Sequence, residues 1–140
     1  MQISKSFIFL INTFVLAILI SCGQISNDEK FANGAKEYTE RYCPKPLDES
    51  VILDSVVYHI PQGDKEGVYS YYHSVRGDST DMQNLKEHQN ELYDELLSRI
   101  NNTQDLKQIK DCGITIEYVF YSLASMEIVL DFNFTKENYK

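Results

Sequence analysis

The chain has no tryptophan, and only three prolines, three histidines and three cysteines; its 13 basic residues are outnumbered by 21 acidic ones. Each shortage excludes something. With so few cations, phosphate backbones are repelled, which argues against a nucleic-acid partner. A metal centre needs three or four converging ligands, and no pair among His59, His73 and His88 stands four apart on a helix. His59 and His73 fall on strands expected to pair. The loop at residues 61–67, however, sets His59 nearer Val68 than His73. There is no calcium loop, and Asp48, Glu49 and Asp54 read as solvated carboxylates. No Gly-x-Ser-x-Gly elbow occurs, and no cysteine is flanked by an evident base. Gly63 and Gly67 are not followed by the Lys-Ser/Thr of a phosphate loop. Carboxylate pairs for glycoside cleavage stay open, because separation in space decides them. No catalytic residue, metal or cofactor is therefore expected. The longest apolar stretch, residues 7–20, is interrupted only by Asn12 and Thr13. It falls short of the roughly 20 residues that span a bilayer as a helix.

What is present begins with that stretch. Lys5 is the only charge in the first 27 residues. A single cation, a short apolar core and a small residue at the exit describe a secretory signal. Leu19-Ile20-Ser21-Cys22 resembles the bacterial lipobox. The resemblance implies removal of residues 1–21, a diacylglyceryl group on the Cys22 thiol and acylation of the new amino terminus. Two or more acyl chains anchor stably, where one holds weakly. Gly23 stands where an aspartate would retain such a protein at the inner membrane, so the resemblance points to the outer membrane. Asn27-Asp28-Glu29 loosely resembles the acidic stretch that exports some Bacteroidetes lipoproteins to the cell surface.

Beyond a short tether at residues 22–27, residues 28–140 form one expected domain, with 12 basic residues against 21 acidic and a net charge of −9 after removal of 1–21. A domain of this size has a thin core. With Cys22 lipidated, Cys43 and Cys112 make an even pair in an oxidising compartment. A Cys43–Cys112 disulfide is expected, closing a long loop worth roughly 3–5 kcal/mol; two buried free thiols are the alternative.

Ser26 and Glu29 have capping-box spacing. Phe31, Ala35, Tyr38 and Tyr42 then lie on one helix face, and Pro44 and Pro46 end the helix. Residues 51–60 and 68–75 read as strands of a hairpin. Thr80, boxed by Gln83, is expected to start a helix of about five turns. Met82, Leu85, Leu92, Leu96 and Ile100 form its stripe. A short helix with Leu106 and Ile109 follows. Ile114, Ile116, Tyr118 and Phe120, then Met126, Ile128, Leu130, Phe132 and Phe134, each alternate onto one face of a second hairpin. Thr115, Glu117, Val119 and Tyr121, with Glu127, Val129, Asp131 and Asn133, fall on the opposite face. The order helix, hairpin, long helix, short helix, hairpin predicts an α+β fold: a four-stranded antiparallel sheet with helices on one face.

Pro46-Leu47-Asp48, Leu53-Asp54-Ser55-Val56, Tyr69-Ser70-Tyr71-Tyr72 and Ile116-Glu117-Tyr118-Val119-Phe120 come in the order seen in small envelope lipoproteins of unassigned role, which residues 43–135 resemble. The resemblance implies fold and location and no activity. Ten tyrosines supply the remaining signal. Tyr69 and Tyr71 share one face of their strand and Tyr72 takes the other. Either set, with Tyr121, offers a contact surface, since tyrosine suits a half-wet interface. The expected role is a membrane-held, non-enzymatic interaction module whose partner is another envelope protein. Structural, envelope-maintenance or inhibitor-type roles are the alternative, with a small-ligand carrier or enzyme further from the residue pattern.

Overall fold

The structure, a computed structural model, describes residues 26–139. The signal segment and Cys22 lie outside the described residues. Ser26 caps the first helix, α1 (Asn27–Tyr42), by accepting from the Glu29 N–H at 3.2 Å. Phe31 and Ala35 are buried, while Tyr42, one turn too far along, is exposed. A two-residue edge strand β1 (Lys45–Pro46) follows, then β2 (Val51–His59) and β3 (Val68–Val75). Helices α2 (Ser79–Glu87) and α3 (Gln89–Asn102), a 3₁₀ turn (Gln104–Leu106) and α4 (Lys107–Asp111) lead to β4 (Thr115–Ser122) and β5 (Ile128–Phe134). Among the described residues no helix is long and apolar enough to cross a membrane.

The α+β class is as expected, but the sheet is five-stranded and mixed, in the order β1-β2-β3-β4-β5. β2–β3 and β4–β5 are antiparallel hairpins, whereas β3 and β4 run parallel, with Val68 beside Thr115 and Val75 beside Ser122. The physical reason is the connection. Helices α2 to α4 carry the chain back along the sheet, so β4 starts at the end where β3 starts, which is what a parallel crossover requires.

The expected five-turn helix is two helices. His88 adopts φ −97° and ψ 16°, its N–H turns back to Asn84 and Lys86, and α3 starts afresh behind it. The cap of α2 is Asp78, not Thr80. Its carboxylate accepts from the Thr80 and Asp81 N–H groups, and Asp81 accepts from the Asp78 N–H at 2.9 Å. Two acids in a first turn also suit the helix dipole. Gly77, at φ 137°, precedes them because a Cβ there would strike the Asp81 side chain.

The core lies between the helices and one face of the sheet. Leu53, Val56 and Tyr58 of β2, Val75 of β3, Ile116, Tyr118 and Phe120 of β4, and Leu130, Phe132 and Phe134 of β5 meet Phe31, Ala35, Met82, Leu96, Ile100, Leu106 and Ile109. β5 keeps its expected alternation only from Leu130 onward. The pairing shifts between Phe120 and Tyr121, and Met126 takes φ 61° in the turn. Met126 and Ile128 are therefore 66% and 65% exposed rather than core.

Candidate interaction face

Register puts Val57 and His59 of β2, Ser70, Tyr72 and Ser74 of β3, and Glu117, Val119 and Tyr121 of β4 on the side away from the core. Asp131 and Asn133 of β5 join them. Every described helix that contributes to the core packs on the other side, so among the described residues no helix covers this face. Its side chains interlock. Tyr121 stands opposite Ser74, and its hydroxyl donates to Asp54 Oδ2 at 2.6 Å on the strand beyond. The ring thus reaches across the serine, which is completely buried though it faces outward. Asp54 is available because it occupies the irregularity between Leu53 and Ser55, where the β2–β3 register slips. The Tyr72 hydroxyl lies 3.3 Å from His59 Nε2. Ser70 Oγ donates to the Glu117 carboxylate in a short contact.

The electrostatics are one-sided. Burial raises the Asp131 carboxyl above its ordinary value and the nearby Glu117 charge adds to it, against a hydrogen bond from Asn133. Burial, then the bond to Asp54, raises the Tyr121 hydroxyl.

Of the four tyrosines singled out from sequence, Tyr72 and Tyr121 are on this face. Tyr69 and Tyr71 are on the core side, half-buried, with Tyr71 stacked on Tyr118 at 5.0 Å between centroids. Burial drives the Tyr71 hydroxyl well above its usual range and pushes Tyr118 up to about 12. His73 continues the same stack, 4.7 Å from Phe120, and burial lowers its imidazole below the usual value. His59, on the open face, and His73, in the core, therefore cannot share a ligand, and His88 sits at the α2–α3 junction. Among the described residues, no group of three or more His, Cys, Asp or Glu is placed to hold a metal ion.

Cys43 and Cys112 are free thiols, which overturns the expected bridge. Cys43 leads into β1, which pairs at Leu53. Cys112 shares a groove with Tyr58 and Gly67, near the other end of β2. The parallel β4 puts it there. Leu53 to His59 alone spans roughly 20 Å, against a Cα separation of at most about 7 Å for a disulfide.

Open grooves of about 390 and 430 Å³ flank the start of β4. Their lysines are already committed: Lys107 to Asp111, Lys136 to Glu66, and Lys110 to the carbonyls of Ile100 and Asn101. What sequence reasoning missed is the Asp54–Tyr121 contact and the nearness of Glu117 to Asp131. The second was signalled by strand alternation, while the first depends on an irregularity that alternation does not reveal.

No curated protein matches the chain in sequence. A Pseudomonas aeruginosa protein described as secreted superposes with a TM-score of 0.61 at 13% identity, covering 83% of this chain and 98% of that one. The pilotin EpsS from the type 2 secretion system of Vibrio vulnificus superposes with a TM-score of 0.58 at 13% identity, covering 79% of this chain and 89% of that one. At such identity these likenesses show a shared fold. A family model matches residues 26–130, most of the described chain, and the protein belongs to that family, the domain of unknown function DUF8479.

Proposed function

We propose that the protein is a lipid-anchored lipoprotein of the bacterial envelope that works by binding another envelope protein and catalyses no reaction. In this reading residues 1–21 are removed and Cys22 carries the lipid. The domain then hangs from Ser26, four positions on, within about 15 Å of the anchor. Outer-membrane placement follows from Gly23 by analogy with lipoprotein sorting.

The observation that carries the binding reading is the helix-free sheet face bearing Tyr72 and Tyr121. Large, two-torsion aromatic side chains that are part wet and part dry are the surface chemistry of protein recognition. The fold shared with a secretion-system pilotin supports the same reading. Two experiments test it. Labelled palmitate should enter the native protein and be absent from Cys22→Ser, with intact mass placing the terminus at residue 22. A photocrosslinking residue at position 72 or 121, in living cells, should trap one recurrent protein, while the same probe at exposed Glu91 of α3 traps none. Scatter from all three positions would defeat the binding reading, and an unlipidated native terminus would defeat the anchor.

A further inference from the structure

The four long strands contain no lysine and no arginine, and their three carboxylates, Asp54, Glu117 and Asp131, all belong to the open face. None of the three joins an ion pair among the described residues. Asp54 accepts from Tyr121, whose ring spans the face above Ser74, while Glu117 and Asp131 accept only from the neutral Ser70 and Asn133 beside them and are the charges left facing outward. They are diagonal neighbours across β4 and β5, since Glu117 pairs with Asn133 and Val119 with Asp131. Diagonal side chains of one sheet face lie about 7 Å apart, so one cation between them reaches both. Beside that pair the face offers apolar surface at Val57, 37% exposed, and at half-buried Tyr72.

Two neighbouring carboxylates that no described cation neutralises repel one another, and this adds to burial in raising the Asp131 carboxyl. Interfaces place opposite charge against such a patch, gaining both steering and register. A bare metal ion is a poor occupant, because two carboxylates do not make a site of three or more ligands. A side-chain cation carried on a chain that also covers the apolar surface answers both features at once.

We infer that the open face receives a lysine- or arginine-bearing segment of the partner protein, its cation held between Glu117 and Asp131 and its apolar side chains laid on Tyr72 and Val57. This rests on the interaction reading above and specifies the partner's chemistry.

The test uses the full chain in nanodiscs of uncharged phosphatidylcholine and a fluorescent probe peptide alternating Lys with Leu, beside counterparts alternating Glu with Leu and Lys with Ser. The Lys/Leu peptide should bind tightest, and binding should weaken about tenfold in Glu117→Gln/Asp131→Asn. These replacements keep shape and remove repulsion, so the variant should melt at or above the parent temperature. Asp131→Asn alone, at an exposed position, is the second variant should the pair destabilise the fold. In cells, the recurrent crosslink from position 72 should fade in the same carboxamide variants. If that crosslink persists undiminished, or the Glu/Leu peptide binds as well as the Lys/Leu one, the cationic-segment inference is overturned while the interaction module stands. If neither position 72 nor 121 traps a recurrent protein, both fall.

Discussion

Tyr58 shows how much a single side chain is asked to do here. Its ring is buried against Phe31, 5.4 Å between centroids, and its hydroxyl donates to Asp28 Oδ1 at 2.5 Å, tying the first turn of α1 to the sheet. Burial and then that bond drive its hydroxyl far above the usual range. Gly67 lies under it, and a Cβ there would fall inside the Tyr58 hydroxyl's contact distance. Gly67→Ala should therefore cost about 1–3 kcal/mol, as overpacking does, read by urea unfolding; an unchanged midpoint would contradict the geometry. His73 gives a pH dependence. Burial lowers its folded value below 6.5, so the folded state prefers the neutral ring. The contribution is whole above pH 6.5 and is lost as pH falls from there through the folded value, because the unfolded chain takes up the proton first. Between pH 7.5 and 5.5 the native protein should lose more stability than His73→Phe; equal losses would refute it. Neither role was legible in sequence. Pro61 to Gly67 reads as loop chemistry, but which ring stands over the last glycine is a tertiary fact, and His73 alternates with tyrosines that could have faced either way.

Among the elements, α1 acts as the missing strand beside β2. β1 pairs only with Ile52 and Leu53, leaving the rest of that edge bare. Thr39 Oγ1 donates to the Val56 carbonyl and accepts from the Val56 N–H, each at 2.8 Å. A helix laid on an edge blunts strand-to-strand aggregation. Thr39→Val keeps the shape and leaves both backbone groups unsatisfied, which should cost about 1–3 kcal/mol and raise light scattering on mild heating. A variant as stable and as monodisperse as the parent would show the contact to be incidental. The helix itself was plain from Phe31 and Ala35, and both hairpins from their β-branched and aromatic runs. The break at His88 was not, because the apolar stripe runs through it and the hydrogen bonds of His88 to Asn84, not hydrophobicity, decide it. Likewise Ile128 looked like core by alternation until one register slip turned it outward.

For the whole molecule, the parallel β3–β4 junction is the decision that local patterns do not record. Two hairpins separated by helices can be joined in either sense, and the count of residues between them allows both. That one choice sends Cys112 to the far end of the sheet from Cys43. Reductant should therefore leave the melting temperature unchanged. Native labelling with maleimide should modify exposed Cys112 first. Cys43 should lag, since burial and then the Asp54 charge hold its thiol above the ordinary value. A single thiol-free population in denaturant would overturn this. The open face was half legible: alternation separated Tyr72 from Tyr69 and Tyr71, but which set met Tyr121 required the β3–β4 register.

The bond between Asp28 and Tyr58 also has a mechanical meaning. The described chain enters the fold at Ser26, two residues before that contact, so any tension arriving along the backbone meets a tyrosine hydroxyl before it meets the sheet. Further along the first helix, buried Phe31 and Ala35 and the Thr39 hydroxyl on Val56 hold it to the core and to β2.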